Sequence, residues 1–186
     1  MANRLTVFYS WQNDAPSSLN RGFIEQALHE TFKRLHLDAT LENAPRDTSA
    51  ESGDTQIIVN PQSTIETFLK KIDECAIFIA DLTLVSLPKG ALTNVTSHPR
   101  HSPNPNVLVE FGYALRTHTQ DQLIGIANTA YGRPDATSLP FYLRHLCSPI
   151  TYHLSNPGAS DKPSQLENLI QTLVKTLGAV IPEHSV

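Results

Sequence analysis

Apolar positions along the chain recur with periods that switch between two and 3.6, and the blocks they form predict a strand–helix succession. Leu5-Thr6-Val7-Phe8-Tyr9 is a short β-prone run, followed by the polar loop Ser10–Pro16. From a cap at Ser17 or Ser18, Leu19, Phe23, Ile24, Ala27, Leu28, Phe32 and Leu35 recur at spacings of three and four and predict an amphipathic helix. Between Asp38 and Val59 large apolar residues are scarce apart from Leu41 and Ile57-Ile58-Val59, and 43–55 is rich in Pro, Ser, Thr, Asp and Gly. This predicts a flexible surface loop between short strands. After Pro61, with Ser63 or Thr64 as cap, Ile65, Phe68, Leu69 and Ile72 predict a second helix with Lys70 and Lys71 on its other face.

Ala76-Ile77-Phe78-Ile79-Ala80, ending at Asp81, is a continuous apolar run of the kind a strand covered on both faces requires. The stretch from Leu84 to Asn104 holds Pro88, Gly90, Pro99 and Pro103 and predicts a long irregular excursion. A helix start follows. Asn104 suits a cap and Pro105 the first helical position, where its missing N–H costs nothing, so a helix is predicted through about Leu115. Leu123-Ile124-Gly125-Ile126-Ala127 and Pro149–His153 predict two more strands, with Phe141 and Leu143 in the loop between them. Leu166, Leu169, Ile170, Leu173, Val174 and Leu177 predict a C-terminal helix closed by Gly178.

Repeated strand–helix alternation in 186 residues predicts one α/β domain spanning 1–186, its core at about 4–178: a five-stranded parallel sheet with helices on both faces. In such open sheets ligands sit outside the carboxyl ends of the strands, where strand order reverses. The polar residues after the strands are therefore the ones to interrogate: Ser10, Trp11, Gln12 and Asp14, then Asp81 and Thr83, then Asn128 and Thr129. Without a G-x-G-x-x-G or P-loop pattern, dinucleotide dehydrogenase and P-loop kinase readings lose their main support.

Composition narrows the classes further. With 14 Lys+Arg against 18 Asp+Glu, the net charge of −4 supplies no positive field for nucleic acid or an anionic membrane. No apolar run approaches the roughly 20 residues that cross a bilayer, and the N-terminus lacks a signal-peptide pattern, so a cytoplasmic location is expected. Cys75 and Cys147, far apart and without a C-x-x-C, read as reduced structural thiols. His98 and His101 lack nearby Cys or Asp partners, and no metal is expected.

The sharpest feature is Asn104-Pro105-Asn106-Val107-Leu108-Val109-Glu110-Phe111-Gly112-Tyr113-Ala114-Leu115. On a helix, Val107, Phe111, Ala114 and Leu115 share one stripe and Glu110 falls at its border, which holds an acid where helix and sheet meet. Pairing with Arg116 or Lys89 is the purely structural alternative. Gly112 costs about 1 kcal/mol relative to Ala in a helix, which predicts a close approach of ligand or neighbouring strand. A carboxylate at such a crevice suits cleavage of an N-glycosidic bond through an oxocarbenium-like transition state. Nicotinamide leaves NAD+ as a neutral pyridine, so a single carboxylate suffices there.

Val7-Phe8-Tyr9-Ser10-Trp11-Gln12 with Asn20-Arg21, Lys71–Cys75 leading into Phe78–Thr83, Asn104-Pro105-Asn106-Val107 through Glu110-Phe111-Gly112-Tyr113-Ala114, and Leu139-Pro140-Phe141 together resemble the bacterial TIR-like proteins of anti-phage defence, over about residues 5–153. The resemblance implies a flavodoxin-like fold and hydrolysis or cyclisation of NAD+, as substrate and not cofactor, by the glutamate matching Glu110. It also implies self-association and a separately encoded sensor or effector protein. Nucleoside deoxyribosyltransferases look similar at Asp81-Leu82-Thr83 and at the Glu-x-Gly-Tyr-Ala helix, where the matching glutamate is a nucleophile toward the sugar. A third reading is a non-catalytic nucleotide-binding module. Pro45–Gly53 keeps only Asp47-Thr48 and Gly53 of a loop common among such relatives.

The expected substrate-binding set around catalytic Glu110 is Tyr9, Ser10, Trp11, Asp14, Asp81, Asn104 and Asn106. Trp11 would stack on a base or pack against the fold. Asp81 would orient Glu110 or a ribose hydroxyl, or cap the next loop. Ser10 and Asn106 would bond to ribose or phosphate, or serve turn and cap, and Arg21 or Arg4 would meet phosphate or solvent.

Overall fold

The computed structural model describes residues 5–43, 61–86, 101–146 and 148–181. Residues 44–60, for which a surface loop and the Ile57–Val59 strand are expected, and Arg4, Lys89, His98 and Cys147 lie outside them. The chain runs β1 (Leu5–Ser10), α1 (Arg21–Arg34), β2 (Ala39–Asn43), α2 (Pro61–Glu74), β3 (Ile77–Asp81), β4 (Leu84–Ser86), β5 (His101–Pro103), α3 (Pro105–Ala114), β6 (Leu123–Asn128), α4 (Phe141–Leu146), β7 (Ile150–Tyr152) and α5 (Lys162–Val180). Five strands form one sheet in the order β2-β1-β3-β6-β7, and every neighbouring pair is parallel. Taken in chain order those strands are arranged 2-1-3-4-5, the flavodoxin-like doubly wound topology.

Strand alternation sorts the core into two layers. Val7, Tyr9, Ile77, Ile79, Ile124 and Ile126 pack against Phe23, Ile24 and Leu28 of α1 and Leu169, Leu173 and Leu177 of α5. Phe8, Phe78 and Ala80 pack on the other face against Ile72 of α2, Val107, Phe111 and Ala114 of α3, and Leu143 of α4. All five residues of β3 are buried, as a strand covered on both faces must be. Phe8 stacks on Phe78 with centroids 5.6 Å apart, and Phe111 meets Phe78 edge-on at 5.9 Å, so α3 is seated across the junction of β1 and β3. On the first face Arg34 forks onto Glu167 with two 2.7 Å bonds, tying α1 to α5. Among the described residues no helix is long and apolar enough to cross a membrane.

Several expected boundaries move. The segment Ser17–Leu19 is a single 3-10 turn and α1 starts only at Arg21. Neither Ser17 nor Ser18 caps it, because Asn20, at the cap position, directs its side chain into the interior instead. Helix α2 already begins at Pro61, ahead of Ser63 and Thr64. The 84–104 excursion is not wholly irregular: β4 and β5 pair antiparallel, Leu84 opposite Pro103 and Ser86 opposite His101. Phe141–Leu146 forms α4, a turn and a half held by Leu143 in the core, where sequence period alone is too short to signal a helix. Helix α5 passes through Gly178 to Val180, since burial of Leu173 and Leu177 stabilises the last turn more than one glycine weakens it.

Gly112 also departs from expectation. A Cβ placed there meets nothing within 4 Å among the described residues, and none of the described strands approaches it. Gly112→Ala is expected to raise stability by about 1 kcal/mol, roughly 2–4 °C in thermal denaturation. Unchanged or lower stability would show that the glycine serves the fold after all.

Cys75 is buried as a thiol. It donates to the Ile72 carbonyl at 3.2 Å, His118 Nε2 lies 3.3 Å from its sulfur, and burial pushes its pKa up to about 11. A folded-state value above the unfolded one means the neutral thiol contributes stability below about pH 9, which is lost as pH rises through 11. Maleimide labelling of Cys75 at pH 8 is accordingly expected to wait for unfolding. Rapid labelling of the native protein at this residue would contradict it.

Candidate functional site

The strand order reverses between β1 and β3, whose ends lie side by side with Ser10 paired to Ala80. This places the crevice of a doubly wound sheet over Ser10. Asn104 starts α3 as its sequence suggests: its side-chain oxygen accepts the Asn106 N–H at 2.8 Å, and Pro105 follows in the first turn. The Val107/Phe111/Ala114 stripe then seats the helix on β1 and β3, and the residue on its border, Glu110, is turned toward the strand ends. The residue is 8% exposed, and its carboxylate accepts a hydrogen bond from the Ser10 hydroxyl.

Around this pair the structure brings together part of the expected set. The Asn104 side-chain amide also donates to Asp14 at 2.6 Å, so the 11–16 loop is pinned to the start of α3. Asn106 is exposed and lies four residues before Glu110, on the same helix face. Ser10 and Glu110, and Asp14 and Asn104, thus pair between the end of β1 and the first turns of α3, with Asn106 one turn before Glu110.

Tyr9, Trp11 and Asp81 are placed elsewhere. Tyr9 and Trp11 alternate with Ser10 and point to the α1/α5 face, in the core cluster there. Trp11 is 3% exposed, and the Arg21 guanidinium covers one ring face with its Cζ 3.7 Å from the centroid. Arg21 is in turn held at 3.0 Å by Glu25. The packing alternative describes Trp11, and the stacking platform is not available in this geometry. The Tyr9 hydroxyl is buried without a partner among the described residues. Burial, and secondarily the charge of Asp81, hold its pKa well above the usual range, so it stays protonated.

Asp81 is fully buried and accepts hydrogen bonds from the Asn20 side-chain amide and, at 3.0 Å, from the Thr83 N–H. The Asn20 oxygen accepts from Thr83 Oγ1 at 3.0 Å and from the Tyr152 hydroxyl at 2.9 Å. The Thr83 oxygen accepts the Asn128 N–H at 2.9 Å, and the Asn128 amide donates to the Leu19 and Leu154 carbonyls. This network, centred on Asn20, stitches the start of α1 to the ends of β3, β6 and β7. Asp81, Thr83 and Asn128 are legible in the sequence as strand-end polar residues, but nothing in their spacing joins them to Asn20 or Tyr152.

Gln12 lies outside the expected substrate-binding set, and its signal in the sequence is a polar position just past the first strand. Its Oε1 accepts the Asp14 and Ala15 N–H groups at 2.5 and 3.0 Å, while its buried Nε2 has no hydrogen-bond partner among the described residues. An unmet buried donor of this kind costs about 1–3 kcal/mol. No group of three or more metal-ligating side chains occurs among the described residues.

Fold and site together define a doubly wound α/β protein with a hydroxyl-bound carboxylate at its switch point. No protein-family model matches the sequence, and no curated protein matches it. Solved structures similar to it include a 2-desoxiribosyltransferase from Leishmania mexicana, 11% identical, with a TM-score of 0.45, covering 92% of this chain and 97% of that one. Another is the CMP N-glycosidase BcmB from Clostridium botulinum, 16% identical, with a TM-score of 0.46, covering 90% of this chain and 99% of that one.

Proposed function

We propose that this chain acts on the N-glycosidic bond of a nucleoside or nucleotide, with Glu110 as the carboxylate facing the anomeric carbon. The observation that carries the reading is the Ser10–Glu110 pair at the end of β1, beside the reversal of strand order. As the C1′–N bond breaks, its electron pair leaves with the base and positive charge develops on the sugar. A fixed carboxylate stabilises that charge or captures it as a glycosyl ester. Water then attacks C1′ and gives hydrolysis, its proton passing to the departed base anion or, where neutral nicotinamide has left, to solvent; or a second base attacks, its N–H proton passing to the departed base, and gives transfer. Ser10 orients the carboxylate, while Asn104 and Asp14 hold the loop and helix that frame it.

A single nucleoside unit, in the manner of a nucleoside 2-deoxyribosyltransferase, is the first substrate reading. The burial of Trp11 beneath Arg21 favours it, because the aromatic platform envisaged for a dinucleotide is occupied. NAD+ cleavage of the TIR-like type is the second, supported by the Asn104–Ala114 motif and by the sufficiency of one carboxylate for a neutral leaving group. Chromatography with mass detection tests both: free-base release or base exchange from ribo- and deoxyribonucleosides, and nicotinamide release from NAD+, at low and high protein concentration. Turnover of neither class would overturn the proposal.

A further inference from the structure

We propose that Gln12 is a substrate-positioning residue, whose side-chain amide donates a hydrogen bond to a neutral sugar hydroxyl held beside Glu110. Backbone N–H groups only donate, so the two bonds from Asp14 and Ala15 fix which end of the amide is oxygen and turn Nε2 the other way. The side chain is fully buried, yet that Nε2 has no hydrogen-bond partner among the described residues. Gln12 belongs to the loop just past β1, and its oxygen holds the Asp14 N–H, while the Asp14 carboxylate is bonded to Asn104 at the start of α3. The orphan donor therefore sits in the loop that frames the side where the reacting sugar would lie.

The neighbouring charges select the acceptor. Asp14 and Glu110 are both carboxylates on this side, bonded to Asn104 and Ser10, and they disfavour a phosphate while tolerating a neutral hydroxyl. Asp14 is exposed, and its bond to Asn104 ties the loop that carries Gln12 to the start of α3. The identity of the ligand as a sugar rests on the N-glycosidic reading; the orphan amide does not.

The test titrates 15N-labelled protein with adenosine, 2′-deoxyadenosine, 3′-deoxyadenosine and inorganic phosphate. It follows the Gln12 side-chain NH2 signal, identified by its loss in Gln12→Met, while chromatography tracks adenine. The signal is expected to move with adenosine and with one deoxy analogue but not the other. Gln12→Met is expected to bind adenosine up to about tenfold more weakly and to lose that discrimination. A purely structural glutamine would leave discrimination unchanged, and that result, or a signal moved by phosphate alone, overturns the proposal while N-glycosidic turnover stands. A shifted Gln12 signal with no adenine released keeps the proposal and sinks the nucleoside form of the N-glycosidic reading. Absence of nucleoside binding overturns the Gln12 proposal, and the N-glycosidic reading is then decided by nicotinamide release from NAD+. Should Gln12→Met fail to fold, the selective shift in the wild-type protein, its signal assigned through the backbone, decides alone.

Discussion

Replacing Glu110 by Gln is expected to lower N-glycosidic turnover on the order of 10³-fold, the scale of losing a preorganised charge partner of the transition state. The same change should shift the thermal midpoint by no more than about 3 °C. The amide keeps an oxygen that accepts the Ser10 hydroxyl, and the Val107/Phe111/Ala114 stripe that seats α3 is untouched. What disappears is the negative charge opposite the developing cation. Glu110→Asp keeps the charge and shortens the arm by one methylene, so a smaller loss, about 10²-fold, is expected from misplacement alone. Purified variants assayed for base release and base exchange, with thermal denaturation alongside, separate the two causes. Full activity in Glu110→Gln would return the residue to a structural role.

The largest stability effect is expected at Asn20. Asn20→Leu withdraws the amide donor from buried Asp81 and the acceptor from Thr83 and Tyr152, of which Tyr152 retains the Leu19 carbonyl at 2.9 Å. Two buried groups left short, one of them a carboxylate, cost about 3–5 kcal/mol together. The midpoint of urea unfolding should fall accordingly, with little change in its slope. Near 15 °C, where the variant is still largely folded, KM should stay near the wild-type value because the network is no part of the Glu110 side. A raised KM in folded Asn20→Leu would instead place Asp81 and Asn20 in substrate binding.

The candidate site was legible in the sequence to different depths. Asn104 as cap, Pro105 as first helical residue and Glu110 at the stripe border follow from local rules, because capping and helical period act within a few residues. Tyr9 and Trp11 were drawn into the site by adjacency to Ser10. Adjacent strand residues face opposite ways, however, and both side chains lie in the α1/α5 core. Asp81 stands out in the sequence as a polar end to an apolar run, but its partner Asn20 lies 61 residues earlier. No local pattern reports a bond of that span.

Taken by itself, the sequence determined the strand–helix alternation, hence a parallel doubly wound sheet, and the helix that carries Glu110. Those features rest on periodicity and capping, which are written in neighbouring residues. Tertiary structure alone decided that Ser10 meets Glu110 across 100 residues, and that Arg21 covers Trp11. It also decided that α5 continues past Gly178 and that Asn20 abandons its cap position for the interior. Each of these depends on which chain segments pack together, and packing energy outweighs the local preferences that sequence alone exposes.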